Sequence, residues 1–289
     1  TLGTGYSGVW FNSDTGTNYS RRVSVDGASD VTAINQTFLQ VGEGDGFPGF
    51  NVGYITNISD KEKLLMSWNT EAQTGAGAAN APSRRDFVGK WANTSSVIST
   101  MNNYNLDGSA LGYFDIGSEA IVLGWDTTDT HTTADNFWEE LDDSTWSSGD
   151  SWTSGTFTAK KYLWVQFYSK SAGGSNYCRF NGDSGTNYAN RYSIDGGTDS
   201  TIDTQPESYL GAIDGLSFNN LFIINNSANE KLLIANRVSR STASAATVPT
   251  RMESVGKWAN TSSQITSITI TTAGGGSFTA GQMKVWGSD

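Results

Sequence analysis

The chain carries one sequence twice. FNSDTGTNY at 11–19 returns as FNGDSGTNY at 180–188, and VGKWANTSS at 88–96 returns unchanged at 255–263. Between these blocks Arg22, Asp26, Gly27 and Asp30 match Arg191, Asp195, Gly196 and Asp199. Glu62-Lys63-Leu64-Leu65 matches Glu230-Lys231-Leu232-Leu233, and Pro82, Arg84 and Asp86 match Pro249, Arg251 and Glu253. The offset drifts only from 169 to 167, so nearly the whole unit is duplicated with small loop changes. A unit of about 120–130 residues is too long for a solenoid repeat and has the size of a complete domain.

Each copy reads as short strands. Lys161–Tyr168 alternates with period two, placing Leu163, Val165 and Phe167 on one face and Tyr162, Trp164 and Tyr168 on the other. Segments 221–224, 231–235, 264–270 and 282–286 are likewise short, rich in β-branched or aromatic residues, and bounded by turn formers. Asp26-Gly27 and Asp195-Gly196 are hairpin-turn dipeptides. This pattern predicts an all-β chain of two tandem antiparallel β-sandwiches, jelly-roll-like, at 1–126 and 156–289. A strand over 157–168 precedes the second copy, whereas its counterpart in the first would fall before residue 1. The first domain is therefore expected to lack its first strand and to leave an open sheet edge, filled by a longer chain or by another subunit.

The charge is local. Against 18 Lys and Arg stand 29 Asp and Glu, a net charge of −11, and eight of those acids fall between Asp126 and Asp150 with no Lys or Arg among them. Residues 127–155 read as an acidic, Ser/Thr-rich connector, with a short helix over Ala134–Leu141 capped by Thr133. The acidic balance argues against nucleic acid and anionic membranes as partners. No apolar run reaches the length of a membrane span. One Cys and one His exclude a disulfide framework and most hydrolase triads or zinc sites. The start, Thr-Leu-Gly-Thr-Gly, reads as processed or truncated.

FNGDSGTNYANRYSIDGG, NEKLLIANR, VGKWANTSSQITSITI, the terminal FTAGQMKVWGSD and LGWDTTDTHTTADNFWEEL resemble tandem β-sandwich proteins of marine tailed viruses, over almost the entire chain. The resemblance implies an extracellular virion component, a fibre, appendage or capsid decoration, whose partners are copies of itself or other virion proteins. It implies no catalytic residue.

The residues themselves offer little chemistry. Cys178 stands where the first copy has Val9 and reads as a small buried hydrophobe, and His131 reads as an exposed connector residue. The acids common to both copies sit in turns or beside Lys and Arg, with Arg84–Asp86 and Arg251–Glu253 placed to pair on one strand face. No catalytic set emerges, and the chain reads as non-enzymatic. Asn12-x-Asp14-x-Gly16-x-Asn18 and Asn181-x-Asp183-x-Gly185-x-Asn187 offer alternating oxygens that suit calcium, the one cofactor to weigh, but each loop carries a single carboxylate, which favours a tight Asx or Gly turn. Six Asn-x-Ser/Thr sequons are no more than a Ser/Thr-rich chain yields by chance. Trp91 and Trp258, at identical repeat positions, suit a shared core. Trp146, Trp152 and Trp164 are the candidate ligand platforms, and surface glycans are the alternative partner, as for a carbohydrate-binding module or receptor-binding lectin.

Overall fold

The structure, a computed structural model, describes residues 5–44, 48–72, 77–107, 110–112, 114, 117–123, 137–171, 173–213, 215–240, 250–274 and 276–289. Trp125, His131, Thr133 and residues 134–136 of the expected helix lie outside them. The described residues are all β, without a helix, and form antiparallel sheets.

The N-terminal half contains β1 (Gly5–Phe11), β2 (Tyr19–Val25), β3 (Val31–Gln36), β4 (Leu39–Gly44), β5 (Gly49–Ile55), β6 (Lys63–Glu71), β7 (Ser83–Trp91), β8 (Met101–Asp107) and β9 (Ala110–Gly112). They form a four-stranded sheet in the order β4-β1-β8-β9 and a five-stranded one in the order β3-β2-β7-β6-β5. The C-terminal half contains β10 (Glu139–Trp146), β11 (Ser151–Thr153), β12 (Tyr162–Ser171), β13 (Ser175–Phe180), β14 (Tyr188–Ile194), β15 (Ser200–Gln205) and β16 (Ser208–Ala212). It continues with β17 (Gly215–Ile224), β18 (Lys231–Arg240), β19 (Thr250–Trp258), β20 (Ile268–Ala273) and β21 (Phe278–Ser288). Its sheets run β11-β20-β13-β16 and β10-β21-β12-β17-β18-β19-β14-β15.

Strand for strand, β1 to β8 repeat as β13 to β20. The turns repeat too: Asp26 and Gly27 have φ of 50° and 73°, and Asp195 and Gly196 have 52° and 74°, with Ala28 and Gly197 closing each turn onto Val25 and Ile194. Two consecutive positive φ values are the type I′ geometry that Asp-Gly adopts at low cost. In each half the two sheets share one apolar cluster: Val9, Phe11 and Leu39 meet Tyr19, Leu65, Phe87 and Trp91, just as Cys178, Phe180 and Leu210 meet Tyr188, Leu233 and Trp258.

The expected connector helix is corrected. Phe137 and Trp138 lie in a bend and Glu139–Leu141 open β10, which pairs with β21. A bulge between Glu140 and Asp142 turns Leu141 toward the core, so spacing that suits a helix is served by a strand instead. Glu140 and Asp143 meet Lys284 at 2.9 and 3.0 Å, and Glu139 meets Lys160 at 3.1 Å, which draws the acidic segment onto the sheet. With β11 pairing β20, residues 139–153 belong to the sheets of the C-terminal half.

The halves touch asymmetrically. Arg84 Nη2 and Nε reach Asp199 at 2.6 and 3.3 Å, and Arg84 also pairs with Asp86. Arg191 meets Asp26 at 3.2 Å and donates to the Pro82 carbonyl at 2.9 Å. The Thr204 N–H donates to the Ala78 carbonyl at 3.0 Å, and the Gly77 N–H to the Glu230 carboxylate.

Candidate functional site

The two candidate cation loops are closed on themselves. Asp14 accepts from the Gly16 N–H (2.9 Å), the Asn18 amide (2.9 Å) and the Trp91 indole N–H (2.7 Å). Asp183 accepts from Gly185 (2.9 Å), Asn187 (2.9 Å) and Trp258 (2.7 Å) in the same way. Asn12 Oδ1 accepts from the Ser99 and Thr100 N–H groups, and Asn181 Oδ1 from Thr266 and Ser267. The oxygens of Asn12, Asp14, Asn181 and Asp183 are thus already engaged by N–H donors, and Asn18 and Asn187 are among those donors. Burial pushes the Asp14 and Asp183 carboxyls up, but the indole, amide and backbone donors outweigh it and hold both below the ordinary carboxylate range. The arrangement locks a turn onto a tryptophan. Trp91 and Trp258 are each 1% exposed, capped by Lys63 and Lys231 lying over their rings at 5.9 and 5.8 Å. Among the described residues no group of three or more His, Cys, Asp or Glu could hold a metal. Cys178 is fully buried, and burial pushes its thiol up to about 12.

The three expected aromatic platforms separate. Trp146 is 6% exposed, stacks on Trp152 and packs edge-on to Phe278. β10–β21 pairing lays it over Gly281, where any side chain would collide with the indole. Trp152 packs against the same core. The expectation is therefore corrected for Trp146, whose ring fills the core, while Trp152 is partly buried; both strands pair with residues more than a hundred positions away. Trp164, likewise partly buried, lies on the outer face. The register sets it opposite Trp286 on one side and Phe222 on the other, with ring centroids at 4.8 and 5.8 Å, and Trp138 adds a fourth ring at 5.8 Å. Asn220 Oδ1 accepts from the Trp164 indole (2.6 Å) and the Gln166 amide (3.1 Å). Phe222 and Asn220 were illegible as site residues, since only strand pairing brings them beside Trp164.

A different surface distinguishes the halves. β17 pairs with β18 on one side and β12 on the other, whereas β5, its counterpart, pairs with β6 and, among the described residues, with nothing beyond. The loss reaches the core: Ile55 is 36% exposed where the equivalent Ile223 is fully buried, and on the outer face Tyr54 is 52% exposed. β5, GFNVGYI, has no charged residue and no proline. The outer strand of the eight-stranded sheet, β10, carries Glu139, Glu140, Asp142 and Asp143. Downstream, Phe114-x-x-Gly117 and Ile121-Val122-Leu123-Gly124 echo Phe278-x-x-Gly281 and Lys284-Val285-Trp286-Gly287 of β21. In β21 Phe278 and Val285 are buried, but Phe114, Ile121, Val122 and Leu123 are all exposed. Glu119 of this segment rests on Tyr162 at 3.1 Å and on Lys161.

No family model and no curated protein matches the chain. Among solved structures, the search returns the attachment invasion locus protein Ail of Yersinia pestis, in complex with the heparin analogue sucrose octasulfate. It is 8% identical over 89% of this chain and 98% of that one, with a TM-score of 0.15, a likeness too slight to carry an argument.

Proposed function

We propose that the chain is a non-enzymatic assembly protein: two tandem jelly-roll-like β-sandwiches that act through protein–protein contacts, in the manner of the virion fibres, appendages or shell decorations it resembles in sequence. The observation that carries this reading is the β5 edge. An edge strand with no charge, no proline and, among the described residues, no strand beside it is a template for another strand, and natural proteins normally blunt such edges, as β10 does with its four acids. In the C-terminal half one strand, β12, lies between β17 and β21 and buries Leu163, Val165 and Phe167. A strand of that pattern from another polypeptide, added beside β5, would cover Ile55 and give residues 121–123 a partner. β-Augmentation of this kind draws affinity from main-chain hydrogen bonds and specificity from alternate side chains.

The test is to add a peptide of sequence KYLWVQFYSKS, residues 161–171, to the full chain and follow amide hydrogen exchange. Slowed exchange confined to β5 and 121–123 supports strand addition. Unchanged exchange there at saturating peptide contradicts it.

The Trp138–Trp164–Trp286–Phe222 stripe favours a second reading, a glycan-binding module, because half-exposed rings beside the Asn220 and Gln166 amides suit a pyranose face. Binding on a glycan array that disappears in Trp164→Ala would establish it; silence across the array would remove it.

A further inference from the structure

We infer that copies of this chain associate head to tail, the end of one C-terminal half seating on the outer face of the next molecule's N-terminal half, as the N-terminal half seats on the C-terminal half within one chain. This deepens the assembly reading by naming a second copy as a partner.

The outer face of the C-terminal half is covered. Leu232, Ile234 and Val255 are 1%, 2% and 1% exposed, yet none belongs to the inner core cluster, whose members on the same strands are Leu233, Ala235 and Trp258. Ile234 and Val255, with Asn236 and Glu253, instead face Trp68, Arg84 and Asp86 of the N-terminal half. At the same positions on β6 and β7 the N-terminal half presents Leu64, Met66 and Val88, and these are 53%, 51% and 46% exposed. Met66 lies directly opposite Val88 and Tyr54 in the sheet, so the exposed side chains form one apolar stripe rather than scattered residues.

The polar frame of the contact is repeated as well. Within the chain, Asp199 takes Arg84, Arg191 takes Asp26, and the N–H of Thr204, at φ 50°, takes the Ala78 carbonyl. The N-terminal half keeps the receiving set as Asp30, Arg22 and Asn35, the last with the same unusual φ of 53°. The C-terminal half keeps the inserting set as Arg251 and Asp195. Cover is what differs: the Asp199 side chain is 1% exposed and Asp30 46%, while Arg84 is 6% exposed and Arg251 61%. Arg22 and Asp30 now bond each other at 3.1 Å, and Arg251 bonds Glu253. Arg84 holds Asp86 and Asp199 together, so Arg251 can add Asp30 without losing Glu253. Arg84 meets Asp199 while the equivalent Arg251 and Asp30 do not meet each other, so the contact is not self-complementary but heterologous. Repeated between molecules, it generates a ring or an open filament rather than a closed dimer.

The experiment is sedimentation of the full chain over a concentration series, with circular dichroism confirming that each variant is folded. The wild type is expected to form a ladder of species that recedes as salt rises. Asp30→Arg and Arg251→Asp, both at exposed positions, should each weaken association by about tenfold or more, and the double exchange D30R/R251D should restore it. Met66→Asp should abolish it. A wild type that stays monomeric throughout, or a ladder indifferent to all these variants, overturns the inference. An indifferent ladder that the β5 peptide of residues 161–171 dissolves leaves strand addition standing, so the two claims fail separately.

Discussion

The two halves share one repeat and differ in closure. Around Trp258 the C-terminal half gathers a cluster that runs from Leu163 and Val165 on β12 to Met283 and Val285 on β21. Around Trp91 the described cluster is Val9, Phe11, Tyr19, Leu39, Leu65 and Phe87. The elements that differ are β12, β21 and β10, which extend one sheet past β17, while among the described residues the other stops at β5. Equal residue types therefore carry unequal burdens in the two copies, and substitutions at paired positions can break or sharpen the contrast.

Trp91→Ala and Trp258→Ala should show the largest effects, about 3–5 kcal/mol each, from the lost indole, its cavity and its bond to Asp14 or Asp183. The two should act on separate transitions in scanning calorimetry, with the N-terminal transition the lower. A single shared transition for both variants would show the halves to be one cooperative unit. Next, Arg84→Ala leaves Asp199 buried without its partner and should cost about 3 kcal/mol. Arg251→Ala, at a 61% exposed side chain, should cost about 0.5 kcal/mol or less when measured on the monomer. Equal losses in urea denaturation would remove the asymmetry of the contact between the halves.

Ile223→Ala should cost about 2–4 kcal/mol and Ile55→Ala about 1 kcal/mol or less, since only the first leaves a closed cavity. The smallest effect is acidic. Asp14 and Asp183 titrate below their unfolded value, so their contribution is complete above about pH 4 and is lost as pH falls through the lower folded value. Asp14→Asn and Asp183→Asn should flatten the thermal-melt profile below about pH 4; an unchanged acid limb would mean these carboxylates do not govern it.

Much of this was legible from residue spacing. Period-two alternation marks β12, Asp-Gly marks the type I′ turns, and the repeated Trp marks the core plug, because each is a local pattern with one geometric solution. The acidic segment was not legible, because Phe137 and Leu141 four apart fit a helix as well as a bulged strand, and Lys284, which draws it to the sheet, lies more than a hundred residues away. Trp146 was misread for the same reason: only pairing with β21 shows that it is covered. Leu64 and Leu232 make the limit plain. They are the same residue at the same repeat position, yet 53% and 1% exposed, a difference that no local pattern predicts.

The open edge of β5 is most directly tested by amide hydrogen exchange of the dilute full chain without added peptide, comparing Gly49–Ile55 with the equivalent Ser217–Ile223. Outward-facing β5 amides exchanging orders of magnitude faster than those of β17, with β6 and β7 protected, is the result expected of an uncovered edge. Protection of β5 equal to that of β17 would mean the chain covers this edge itself, and would contradict the assembly function proposed from it.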